Sequence, residues 1–130
     1  MPAIRVLLVE DNPDNFELVR FLLDRSGYEV LGSHNGIQAL EVARQERPDL
    51  ILMDLSLPEM DGWTAARELK KDERTCHIPL LAVTGHTLPG DRKQAIDSGF
   101  DGYICKPINL ESFSAEVAAA LARSKPDAAA

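Results

Sequence analysis

The chain is poor in several things that define whole classes of protein. Its 130 residues include only two cysteines, Cys76 and Cys105, and their spacing is not that of a metal site. Reduced thiols in a cytosolic protein are the expected state. Positive charge is in deficit: 14 Lys and Arg stand against 21 Asp and Glu, for a formal net charge of −7 and a pI near 4.9. Such a surface keeps a protein in solution and repels DNA and anionic membranes, so direct nucleic-acid binding is not expected. No apolar run approaches the length of a membrane span. The opening Met1-Pro2-Ala3-Ile4-Arg5 lacks the basic region, apolar stretch and cleavage site of a secretory leader. Internal repeats and linkers are missing too. A cytoplasmic protein of one domain is expected, with 45% hydrophobic residues to form its core.

What is present is a regular alternation of short apolar runs with amphipathic segments, the pattern of an α/β protein with a parallel sheet. Ile4–Val9 reads as a first strand. Asn12 is placed to cap a helix that has Pro13 at its first position and Phe16, Val19 and Leu23 on one face. Gly27 ends that helix, and Tyr28–Gly32 reads as a second strand. A second helix carries Ile37, Leu40 and Ala43 and stops before Pro48. Leu50–Met53 is the uninterrupted apolar run of a strand buried on both faces. A helix over Gly62–Lys71, a strand over Ile78–Val83, a helix over Pro89–Ser98 and a short strand over Tyr103–Cys105 follow. Asn109 then caps a last helix bearing Phe113, Val117 and Leu121. Five strands and five helices alternate over residues 1–123, and 124–130 reads as a flexible tail.

The polar residues fall where such a sheet binds ligands, at the carboxyl ends of its strands. In the flavodoxin-like order 2-1-3-4-5, which the alternation suggests but does not fix, strand order reverses between the first and third strands. The first ends in Glu10-Asp11 and the third in Asp54; the fourth ends in Thr84 and the fifth in Lys106. Three carboxylates brought together repel one another and are costly to desolvate. A hard divalent cation relieves both problems, and Mg²⁺ favours one or two carboxylates together with phosphate oxygens. Lys106 would pair with a phosphate oxygen, and Thr84 would donate a hydrogen bond to another. Taken singly, each residue has an ordinary alternative: a solvated acidic loop, a turn aspartate, a strand threonine, a surface lysine. The functional reading comes from their joint placement.

Val9-Glu10-Asp11-Asn12, Met53-Asp54-Leu55-Ser56-Leu57-Pro58-Glu59-Met60-Asp61-Gly62, Val83-Thr84-Gly85 and Tyr103-Ile104-Cys105-Lys106-Pro107 together resemble the response regulator receiver family over residues 4 to 123, in the right order and spacing. The resemblance implies a doubly wound five-stranded parallel sheet with five helices. It implies that Asp54 is the phosphoacceptor, and that Glu10, Asp11, Asp54 and the backbone carbonyl of Ser56 hold Mg²⁺, with Mn²⁺ able to substitute. It makes Thr84 the switch hydroxyl, Lys106 the phosphoryl-contacting lysine and Tyr103 the switch aromatic. Gly85, His86 and Pro107 would form the rim, with His86 a departure from the usual pattern and Lys106–Pro107 a cis peptide. The expected partners are a sensor histidine kinase or histidine phosphotransfer protein, and a downstream effector on the face of the fourth helix, fifth strand and fifth helix. The fourth helix has few apolar anchors, Leu88, Ala95 and Ile96, and Gly90 near its start. The Asp11-Asn12-Pro13-Asp14-Asn15 opening is similar to that of cell-division-type single-domain regulators. A monomer is expected, with a weak dimer allowed for on phosphorylation.

Three rival readings fit less well. A phosphohydrolase with an aspartyl-phosphate intermediate would carry its nucleophile in an Asp-x-Asp motif after the first strand, where this chain has Glu10-Asp11-Asn12-Pro13. A flavin or dinucleotide carrier needs a glycine- or hydroxyl-rich loop there. A receiver-like module that had lost phosphorylation would not be expected to keep the full set of site residues. The chain is therefore expected to be a switch with self-phosphorylation and autodephosphorylation chemistry, not a turnover enzyme.

Overall fold

A computed structural model describes residues 3–55, 62–84, 93, 97–105 and 110–124. The strands are β1 (Arg5–Val9), β2 (Glu29–Ser33), β3 (Leu50–Asp54), β4 (Leu80–Thr84) and β5 (Gly102–Cys105). All neighbouring pairs are parallel, and the order is β2-β1-β3-β4-β5. The helices with assigned bounds are α1 (Pro13–Arg25), α2 (Gly36–Glu46), α3 (Gly62–Lys71) and, at the C-terminal end, α4 (Leu110–Ser124), which is the helix expected as the fifth. The expected helix over 89–98 falls largely outside the described residues. So do the Asn109 cap and the tail beyond Ser124.

Period-two alternation along the strands divides the core in two. Leu7, Val9, Ile51, Met53, Leu80 and Ala82 point to one face, where α2 and α3 cover them with Ala39, Leu40, Ala43, Ala65, Ala66 and Leu69. Val6, Leu8, Leu50, Leu52, Leu81, Val83 and Ile104 point to the other, under Val19 and Leu23 of α1 and Phe113, Val117, Ala120 and Leu121 of α4. Helices therefore lie on both faces, as happens when right-handed crossovers run outward in both directions from a central strand. Every residue of β3 is buried, as its unbroken apolar run required.

Local chemistry sets the boundaries. The Asn12 side chain accepts from the backbone N–H groups of Asp14 (2.9 Å) and Asn15 (3.1 Å), and Pro13 opens α1. At the other end of α1, Gly27 adopts φ +89°, Gly27 N–H donates to Asp24 O and Tyr28 N–H to Leu23 O. This is a Schellman closure. It uses the Tyr28 amide, so β2 runs from Glu29 to Ser33, one residue later than the sequence pattern suggests. Strand β4 likewise begins at Leu80 and not at Ile78: Ile78 N–H closes a turn onto Thr75 O, and Pro79 has no N–H to give the ladder. Ile37 does not face the core as expected; it is 46% exposed. The buried stripe of α2 is Gly36, Ala39, Leu40 and Ala43, and Ile37 lies about 100° around the helix from Gly36.

Candidate metal and phosphoryl site

The topological reversal lies between β1 and β3, and the acidic residues meet there. Glu10 follows β1, Asp54 ends β3, and Asp11 continues from Glu10. Carboxylate oxygens of these three lie within 4.8 Å of one another, with Glu10 and Asp54 buried and Asp11 exposed. The order β2-β1-β3-β4-β5 expected from the alternation is the one observed, and it brings the ends of β1 and β3 side by side.

Backbone hydrogen bonds fix the cluster from several directions. Glu10 N–H donates to Ser33 O at 3.0 Å, which ties the end of β1 to the end of β2. The Glu10 carboxylate accepts from Asn12 N–H at 3.1 Å, so the turn into α1 grips the side chain it follows. On the far side, Leu55 N–H donates to Val83 O at 3.3 Å, and Gly62 N–H to Leu55 O at 3.2 Å. These bonds hold the residue after Asp54 between β4 and the start of α3. Gly62 must lack a side chain. A Cβ there would lie 2.7 Å from Asp54 O and 2.9 Å from Leu55 Cα.

The donor set fits a hard cation. Ligand oxygens of an octahedral ion at about 2.1 Å are about 3 to 4 Å apart. The three carboxylates already approach that spacing, so a small closure or a bridging water would complete it. Glu10, Asp11 and Asp54 would hold Mg²⁺. The fourth expected ligand, the Ser56 carbonyl, lies outside the described residues, as do Lys106, Pro107, Gly85 and His86. The backbone of Thr84 ends β4 beside Asp54, whose register partner is Val83. Tyr103 lies in β5 opposite Ala82, and Cys105 opposite Thr84.

The structure also brings in His34, which the sequence reading passed over. It follows β2, and the Val9–Ser33 register sets it beside Glu10. Its Nδ1 lies 3.2 Å from the Glu10 carbonyl oxygen. The signal was available once strand order was known, because a residue following β2 neighbours one following β1.

The alternating fold, the reversal point and the acidic cluster place the chain among doubly wound α/β proteins with a carboxylate site at the strand ends. The chain belongs to the response regulator receiver domain family, whose pattern matches residues 6–118. It is 45% identical over 108 residues to the polar-differentiation response regulator DivK of Brucella anthropi, a match covering 83% of this chain and 88% of that protein. The DivK of Brucella ovis is 44% identical over the same extent. Among solved structures, the receiver domain of a sensor histidine kinase from Pseudomonas aeruginosa PAO1, which has a magnesium ion coordinated in its active-site cleft, superposes with a TM-score of 0.87 at 35% identity, covering 93% of this chain and 99% of that one. The chemotaxis response regulator CheY4 of Vibrio cholerae gives 0.86 at 27% identity, over 92% of this chain and 99% of that one. The protein is thus a receiver domain of two-component signalling, and no helix among its described residues is long and apolar enough to cross a membrane.

Proposed function

We propose that Asp54 accepts a phosphoryl group from the phosphohistidine of a sensor histidine kinase or histidine phosphotransfer protein, and that Mg²⁺ held by Glu10, Asp11 and Asp54 is required. The observation that carries this reading is the burial of Asp54 at the end of the central strand, its carboxylate within 4.8 Å of those of Glu10 and Asp11.

Asp54 is the nucleophile. One carboxylate oxygen forms a bond to phosphorus as the phosphorus–nitrogen bond of the donor breaks, and the imidazole leaves with that electron pair. The product is an acyl phosphate. When bound, the divalent cation offsets negative charge on the phosphoryl oxygens, which is the main contribution a protein can make to a loose phosphoryl-transfer transition state. The chain's own residues supply position. The β3 ladder and the Leu55–Val83 bond fix Asp54, the Ser33 and Asn12 bonds fix Glu10, and Lys106 pairs with a phosphoryl oxygen. Water later attacks the same phosphorus and restores the carboxylate, so the protein is a switch and not a turnover enzyme. Mn²⁺, another oxygen-seeking divalent ion, would serve in place of Mg²⁺.

Phosphorylation adds charge and strong acceptor oxygens. Thr84 is drawn toward them, and Tyr103 fills the space it leaves, so that the effector face of the fourth and fifth expected helices and β5 is biased between two packings. The protein acts in the cytoplasm as a monomer, with weak dimerisation on phosphorylation.

The test is incubation with a small acyl phosphate and Mg²⁺, followed by intact-mass measurement. One phosphoryl group is expected on the wild type, none on Asp54→Asn and none with excess chelator. Equal phosphorylation of Asp54→Asn would refute the assignment. Steady turnover of small phosphate esters would instead favour a hydrolase.

A further inference from the structure

We infer that His34 is a positioning residue for the metal site, acting through the peptide that joins Glu10 to Asp11. The inference rests on the metal-site reading above and names a residue of β2's end that the reading does not use.

The peptide between Glu10 and Asp11 carries two of the three acidic ligands. Glu10 is held at both of its backbone polar atoms, its N–H by Ser33 O at 3.0 Å and its C=O by His34 Nδ1 at 3.2 Å. A carbonyl oxygen can only accept, so Nδ1 carries the proton in this contact. The donor is itself secured. The imidazole packs against the Phe16 ring, with centroids 5.3 Å apart and planes tilted by 49°. The Phe16 ring in turn lies over Gly32, where a Cβ would come within 2.8 Å of it. His34 N–H donates to Gln38 Oε1 at 2.9 Å, and the buried Ser33 hydroxyl donates to Asn35 O at 3.1 Å. Residues 32 to 38 thus form a brace that meets the acidic loop through Ser33 O and through the imidazole.

The brace has a physical purpose. Three carboxylates tend to spread when no cation lies among them. A loop free to turn its Glu10–Asp11 peptide would relieve that repulsion by swinging Asp11 outward, and metal binding would then have to reorder it. Fixing the peptide plane beforehand removes this cost from the binding step. The imidazole N–H also draws negative potential off the carbonyl of a residue that belongs to the acidic cluster.

Calorimetric titration of the full chain with MgCl₂ tests this. Loss of an outer hydrogen bond to a metal ligand commonly weakens affinity by about tenfold or more. His34→Leu keeps an apolar contact for Phe16 but has no donor, and should raise the Mg²⁺ dissociation constant about tenfold. His34→Asn offers an amide N–H near the place of Nδ1 and should stay within about threefold of wild type, near the worth of a weakened hydrogen bond. With acyl phosphate, His34→Leu should need more Mg²⁺ for half-maximal phosphorylation yet reach the wild-type rate at saturating Mg²⁺. Equal affinities for wild type and His34→Leu would overturn the inference while leaving the metal site standing. Equal losses in His34→Leu and His34→Asn would also overturn it, since ring packing would then be what matters. A wild type that bound no Mg²⁺ at all would remove the functional reading, and this inference with it.

Discussion

Gly62→Ala is the smallest change that should report on how the fold aims Asp54. The added Cβ would lie 2.7 Å from Asp54 O, 2.9 Å from Leu55 Cα and 3.3 Å from Leu55 Cδ2. Two of these are backbone atoms and cannot rotate aside. The shortest is about 0.7 Å inside ordinary contact, so α3 and the end of β3 must separate by about that much. Overpacking of this kind costs about 1–3 kcal/mol. Alanine returns about 0.5–1 kcal/mol of helix propensity, and less at the first position of a helix than in its interior. The overlap wins, for a net loss of about 1–2 kcal/mol. At this chain length that is a fall in Tm of roughly 4–8 °C. If the separation is shared, Asp54 moves by a few tenths of an ångström. Misplacement by about 1 Å can cost about a hundredfold in rate, so phosphorylation should slow about three- to tenfold. Differential scanning calorimetry and acyl-phosphate kinetics, run well below the melting range, measure the two effects. Wild-type values of both would refute the packing argument. A lowered Tm with an unchanged rate would show that α3 takes up the whole displacement and that Asp54 is held by β3 alone.

Phe113 is 1% exposed in the layer under α4, and Phe113→Ala should cost about 3–5 kcal/mol in urea unfolding, a loss that Phe113→Leu should largely avoid. Asn12→Ala removes the acceptor for two N–H groups at the start of α1 and should cost about 1 kcal/mol, measured the same way. Asp72 accepts from the side chain and backbone N–H of Arg74 and from Arg44 of α2, which together hold its carboxyl well below the usual carboxylate range. The folded form therefore binds its proton at lower pH than the unfolded chain does. Its contribution is complete above the ordinary value of 3.8 and is lost as pH falls below it. Urea midpoints should drop between pH 5 and pH 3 by less in Asp72→Asn than in wild type.

The strand ends were legible because each is marked by a change from apolar to polar or charged residues, and the sheet turns that change into a location. Glu10-Asp11 and Asp54 could be assigned to one crevice as soon as the strand order was supposed, since charge repulsion alone makes their meeting unusual. The helix caps were legible for a local reason: Asn12-Pro13 and Gly27 act within a few residues of themselves. What the sequence hid was set by distant partners. Ile37 belongs to a helix whose buried stripe is drawn by small residues, Gly36, Ala39 and Ala43, and a large apolar side chain next to that stripe misleads a reading based on hydrophobicity. Tyr28 leaves β2 because its amide serves the preceding helix. The role of His34 depends on the β1–β2 register, and the need for Gly62 to be bare depends on how closely α3 approaches Asp54; neither is a property of a neighbouring residue.

The position of the site within the sheet also bears on how a switch can be built from it. Strands β1 and β3 are central, each paired on both sides, and they present Glu10 and Asp54. Residues at such strand ends share the high local stability of the core and are poorly suited to moving. That suits a metal site, where displaced ligands lose affinity. Strand β5 is different: it lies at the sheet edge, is four residues long and is paired on one side only. The residues proposed to respond, Thr84 and Tyr103, lie on β4 and on this edge strand. In the proposed reading, binding chemistry belongs to the stiff middle of the sheet, and the response runs from Thr84 on β4, itself paired on both sides, out to Tyr103 on the weaker edge. A design in which the acidic ligands stood on the edge and the responding residues in the centre would lose on both counts, because the metal would have to order its own ligands and the signal would have to deform the core.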